Sequence, residues 1–230
     1  MQLNKNLNAF DRAVRFLGAA FFLFAAFALF KHPAARLAAA LFGVFSLFEG
    51  LWATCGLLSM MGRKDRLVSM KKETLYLLGL LGAQATVAYE WWSAGWEKVS
   101  SPEFVSGISK TLAFFAGKNP FPWYKDFLLG FASKNAIAFA YAVEWSQVAI
   151  AFALLIGIYF IAAPVSNKIK RCGLCLSLLA LAGGLLMNIN FYLAAAWTSP
   201  ATRGSNVVMF WVGVALAYVW LYSLLSKDTN

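Results

Sequence analysis

Three carboxylates fall where a carboxylate is costly. Glu49, Glu90 and Glu144 each lie inside a long apolar stretch, accompanied there by the amides Gln84, Gln147, Asn188 and Asn190. Ionisable groups in hydrocarbon are rare, and those that persist pair with another group or face a wet cavity. The chemistry open to such a carboxylate is to pick up or release a proton. At about 1.5 Å of rise per helical residue, Glu90 lies about 6–8 Å from the end of its stretch, Glu144 and Asn190 about 12 Å from the ends of theirs, and Gln147 slightly deeper. Glu144 and Gln147 are one turn apart and share a helix face. Glu144, Glu90 and Gln147 are therefore the candidate catalytic groups, weighed against ordinary hydrogen bonds between helices. Glu49 reads as a contact residue facing the later helices.

The stretch holding Glu90 closes with EWWSAGWEK. Trp91, Trp92 and Trp96 read as an aromatic belt at the membrane surface, and Gly95 allows close backbone approach. Lys98 together with Arg203 makes an electropositive mouth suited to an anionic substrate; the plainer reading is snorkelling at the interface. Beyond lies a long segment, 95–134. Within it FVSGISKTLAFF is amphipathic, and NPFPWYKDFLLGFASKN is rich in aromatics, Trp123 and Tyr124 among them. Such a segment is a surface anchor or lid, or a roof over a substrate site. Lys98, Arg203, Trp96, Trp123 and Asn190 are the candidate substrate-binding residues.

Thiol and metal chemistry are weakly signalled. Cys172 and Cys175 form CGLC, and Cys55 stands alone. A C-x-x-C pair can be redox-active, but the βαβ context that makes the motif specific is missing, so incidental thiols are the plainer reading. No spacing supports haem, zinc or an iron–sulfur cluster, and the lone His32 cannot supply paired axial imidazoles. No nucleotide-binding glycine motif is present.

The elements that must position these residues are membrane helices. Of 230 residues, 61% are hydrophobic and 13% charged, about half the charge of a soluble domain. Six stretches near 13–30, 35–60, 74–94, 136–162, 172–198 and 207–225 reach or approach the length of a transmembrane helix. The net charge of +10 resides in segments between these stretches rather than in a surface stripe. It points to anionic lipid and the positive-inside bias, not to nucleic acid. No signal-peptide pattern precedes the first stretch, which is expected to serve as the insertion signal. Arg63, Lys64, Arg66, Lys71 and Lys72 mark one cytoplasmic loop, and Lys168, Lys170 and Arg171 another. Both termini are then cytoplasmic and 95–134 is outside. The expected fold is an all-α integral membrane protein of six transmembrane helices. A two-helix hairpin (1–62) and a basic cytoplasmic linker (63–72) precede a four-helix domain (73–230) whose outer loop is amphipathic.

Several motifs carry a resemblance. Gly95, Trp96 and Lys98, the loop Asn119–Tyr124, and Glu144 early in the following helix make the block from about 73 to 226 resemble the DoxX/DoxD family of four-helix membrane proteins. It looks most like the branch that forms the large membrane subunit of thiosulfate:quinone oxidoreductase. The first block, with Asn8, Asp11, Arg12, Arg15 and Cys55, resembles the two-helix membrane domain attached to some rhodaneses. The resemblance implies a protein of the prokaryotic cytoplasmic (inner) membrane. It implies oxidation of thiosulfate to tetrathionate, quinone as co-substrate and a small partner subunit. No bound-cofactor motif is evident, so electrons would pass directly between substrate and quinone or through a partner. Two other readings remain open: a non-catalytic membrane subunit of a redox complex, and a small-solute transporter.

Overall fold

In a computed structural model the regular secondary structure of the described residues, which are Leu7, residues 9–54 and residues 72–226, is entirely helical. Asn8, Cys55 and the basic linker through Lys71 lie outside them. The chain divides into two compact units, Met1–Leu75 and Tyr76–Asn230.

The first unit is a helical hairpin. Helix α1 (Ala9–Phe24) runs on through a π-helical turn, Ala25–Leu29, and Pro33 opens α2 (Pro33–Trp52) at its first position, where its missing N–H costs nothing. The wider π turn leaves the Ala26 carbonyl to accept from Arg36 Nε at 3.1 Å. At the other end Arg12 Nε donates to the Gly50 carbonyl at 2.9 Å, and Arg15 pairs with the buried Glu49. Glu49 was expected to face the later helices; it is an ion-pair partner within its own hairpin. Helix α2 ends at Ala53, which takes a left-handed conformation at φ 55° while its N–H donates to Glu49 O.

The second unit holds α3 (Lys72–Val99, begun within the first unit), α4 (Pro102–Gly117), α5 (Pro122–Phe127) running into a π turn (Leu128–Ala132), α6 (Ala136–Ala162), α7 (Asn167–Ala195) and α8 (Pro200–Leu225). Prolines at the first positions of α4, α5 and α8 set their starts, and Ser199 caps α8 by accepting from Thr202 N at 3.0 Å. The four long helices alternate in direction. They are joined through the buried Gln84 of α3. Its Nε2 donates to Leu154 O of α6 and to Ser177 Oγ of α7, each at 2.9 Å, and its Oε1 accepts from Trp220 Nε1 of α8 at 2.6 Å. One amide thus joins all four helices, and each polar atom has a partner, the condition for burying it.

Where α6 crosses α7, small residues bring the backbones together. A Cβ on Gly157 would overlap Ser177 Oγ, and one on Gly173 would lie 2.7 Å from Phe160 Cβ. Close approach through small residues is the usual packing between helices in lipid. The short helices α4 and α5 form a second core with the start of α6 and the end of α7, through Ile108, Leu112, Tyr124, Leu128 and Ala194.

Among the described residues four helices are long and apolar enough to cross a membrane: α2, α6, α7 and α8. The protein is a multi-pass membrane protein. The other two expected spans are helical but fall short of that measure. Helix α1 has only 16 residues, and α3 carries Gln84, Glu90, Glu97 and Lys98 along its 28.

Candidate functional site

A cavity of about 570 Å³ lies in the second unit, between the end of the four-helix bundle and the cap formed by α4 and α5. That volume is in the range of small-molecule sites, which are apolar concavities with a few convergent polar groups. The last turns of α3 and α7 and the first turns of α6 and α8 all contribute to its wall, because alternating directions bring those ends together.

The cap is fastened to α7 by two residues of the NPFPWY segment. Asn119 Nδ2 donates to Leu193 O at 2.9 Å, while its Oδ1 accepts from Phe121 N at 3.0 Å. Tyr124, buried, donates its hydroxyl to Asn190 O at 3.1 Å. Burial pushes the Tyr124 phenol up to about 12, so it remains a donor at any physiological pH. The motif that carried the family resemblance therefore has a physical role: it clamps the roof to the bundle.

Polar groups converge from several helices. Glu90 and Lys98 come from α3, Gln147 from α6, Asn188 and Asn190 from α7, and Asn206 from α8. Gln147 is 1% exposed, and its Oε1 is buried without a hydrogen-bond partner among the described residues. Such an atom carries its full desolvation penalty. Gly95 makes the position possible, since a Cβ there would lie 3.0 Å from Gln147 Cβ and from Val148 N. Lys98 follows the apolar part of α3. Its Nζ donates to Ala94 O at 2.8 Å and sits 5.8 Å from the centre of the Phe104 ring. Burial lowers the Lys98 pKa, opposed by the neighbouring Glu97 carboxylate.

Of the candidate catalytic and substrate-binding residues, the wall takes Glu90, Gln147, Lys98 and Asn190. Glu144 is buried on α6, 4% exposed, but does not line the cavity. Arg203 is exposed and stands off the wall, although Thr202 and Asn206 of the same helix belong to it. Trp123 and Trp96 are exposed, Trp96 stacking on Trp92 with centroids 5.2 Å apart. Trp91, expected in the surface belt with them, is instead 4% exposed and lines the cavity, its Nε1 against Gly184. Neighbouring indoles diverge because a helix turns by about 100° per residue, so of the three only Trp91 reaches the cavity. Asn206 and Ser146 are wall residues that sequence reasoning missed. Asn206 lies just before the apolar stretch of α8, where a helix face could have been projected back from it.

Among the described residues no group of three or more His, Cys, Asp or Glu could hold a metal ion. Cys172 and Cys175 are both exposed on α7 as free thiols.

Fold and cavity define the class: an all-α, multi-pass membrane protein with a capped intrabundle cavity. Residues 1–69 match a family described as the inner membrane protein YgaP-like transmembrane domain. The first block of the chain is thus similar to that domain, and the cavity lies wholly outside the matched residues. No curated protein and no solved structure matches the chain.

Proposed function

We propose that the chain is the membrane subunit of a quinone-linked oxidoreductase acting on a small sulfur anion, with thiosulfate the leading substrate. One observation carries the reading: a largely apolar cavity of about 570 Å³ whose few polar groups include four amides, one acid, one amine and several hydroxyls. A quinone head needs a flat apolar slot with donors for its carbonyl oxygens, and the amides of Gln147, Asn188, Asn190 and Asn206 supply such donors. In the overall reaction two thiosulfates lose two electrons and join as tetrathionate, and a quinone takes up those electrons with two protons to become a quinol. Glu90 is the acid on the wall and Lys98 the cation that would attract the sulfur anion. Glu144, buried one turn from Gln147, is a proton-holding group or an interhelical contact. The resemblance of residues 73–226 to DoxX/DoxD proteins, and of the first block to a rhodanese-linked domain, supports sulfur chemistry. The proposed topology has six spans, cytoplasmic termini and the capped end outward, in a prokaryotic inner membrane. A small partner subunit is part of the proposal.

The apolar wall also favours a second reading, a non-catalytic subunit that holds a lipid-soluble molecule for a complex. Thiosulfate-dependent quinone reduction by the purified protein in lipid nanodiscs separates them. Reduction that falls in Glu90→Gln and Glu144→Gln supports catalysis. A well-folded protein that reduces no quinone with any of several sulfur anions sinks independent catalysis and leaves the subunit or a solute transporter.

A further inference from the structure

A second, smaller cavity of about 230 Å³ lies between α7 and α8. Its walls are Ile189, Tyr192 and Leu193 on one side and Val207, Phe210 and Trp211 on the other, closed by Asn188 and Asn206. Those two asparagines also line the main cavity. Two amide side chains are therefore the partition between the interior and an apolar groove along the α7–α8 seam. The groove residues are open to the surroundings of the bundle: Ile189 is 42% exposed, Val207 41% and Trp211 63%. Both helices are among those apolar enough to cross a membrane, so these surroundings are lipid. At 1.5 Å per residue the partition lies roughly 10 Å along α7 and α8 from the turn that joins them.

Neither asparagine is a tight latch. Asn206 Nδ2 donates to Thr202 O of its own helix at 2.9 Å. Asn188 is 6% exposed, and its amide takes part in no hydrogen bond among the described residues. An amide facing hydrocarbon is unfavourable without a partner. Placed where an interior carrying a few polar groups adjoins an apolar groove, the two amides suit a ligand that is polar at one end and apolar at the other.

We propose that the α7–α8 seam is a lateral portal, in which the isoprenoid tail of a quinone whose head occupies the main cavity passes between Asn188 and Asn206 and lies along Ile189, Tyr192, Val207 and Phe210 into the bilayer. This rests on the reading of the main cavity as a quinone site. It explains how a water-insoluble molecule reaches a capped site: the cap need not open, because access is from the side.

The test uses the full chain in nanodiscs and two photoreactive quinones, one carrying its diazirine on the head and one on the tail, with adducts mapped by mass spectrometry. The tail probe is expected to label residues 189–193 and 207–211, and the head probe α3 and α6. Filling the groove by Val207→Trp should weaken a long-tailed quinone at least about tenfold, the loss for two methylenes left without their apolar surface. The same variant should leave a tail-less quinone within about twofold, since no polar wall group changes. Ile189→Trp, from the opposite wall, should do the same and guards against a local fault in either variant. Head labelling with tail adducts elsewhere, or equal weakening of both ligands, overturns the portal while leaving the cavity reading in place. No head labelling at all overturns both.

Discussion

Gln147 spends stability on something other than the fold. With Oε1 buried and unpartnered among the described residues, replacement by an apolar side chain of similar length removes a desolvation cost and leaves no new orphan. Gln147→Leu is therefore expected to raise the melting temperature of the ligand-free protein, by an amount equivalent to about 1 kcal/mol, while weakening binding of a quinol, whose hydroxyl can donate to Oε1, about tenfold. Thermal melts with and without a quinol analogue check both signs. Lys98 gives a pH signature. Its folded pKa lies below that of the unfolded side chain, because burial disfavours the charge. Between those two values the unfolded state holds the extra proton, so this residue's contribution to stability rises with pH across that window. An anion paired with Lys98 would raise its pKa. Thiosulfate binding is thus expected to take up protons and to weaken as pH climbs through the folded Lys98 pKa. Calorimetry in buffers of different ionisation enthalpy measures the uptake, and Lys98→Met should abolish it.

Helix contacts set what the cavity can tolerate. The Gln84 hub satisfies Ser177, Leu154 and Trp220 at once, so Gln84→Leu orphans an indole N–H. A loss of about 2–4 kcal/mol is expected in reversible unfolding, well above that for an exposed polar residue. Gly157→Ala drives a methyl into Ser177 where α6 and α7 already touch, and should cost about 1–3 kcal/mol. The cap is a separate device. Asn119→Ala removes its ties to Leu193 and Phe121 without touching the bundle hub. The expected result is faster hydrogen exchange confined to α4 and α5, with the global melt changed little.

At the scale of the whole molecule, positive charge predicts an orientation and the cap offers a position at which to test it. Lys168 is near the start of α7, while Lys110 is exposed on α4. In a background with its native cysteines replaced by serine, Lys110→Cys should react with a membrane-impermeant maleimide from outside intact cells, and Lys168→Cys only after lysis. The reverse pattern would invert the proposed topology and place the cavity toward the cytoplasm. Six crossings require α1 and α3 to span as well, and single-cysteine positions at their two ends test each by the same reagent.

Sequence by itself determined that this chain lives in lipid and is helical, since 61% hydrophobic residues and runs of transmembrane length leave no other way to satisfy the backbone. It located the end of the bundle where Glu90, Lys98, Gln147 and Asn190 meet, because alternating helices place residues at known depths. It also flagged NPFPWY without revealing that Asn119 and Tyr124 are the fasteners. Tertiary structure alone decided which side of each helix faces inward. A period of 3.6 fixes the faces of one helix relative to each other but not their rotation toward neighbours, and helices in lipid lack the strong polar–apolar contrast that would reveal it. For that reason Glu144 stood out in sequence yet lies off the wall, Trp91 moved from the surface to the cavity, and Arg203 points elsewhere. The same reason hid the α7–α8 seam, a feature of two helices side by side and of neither one alone.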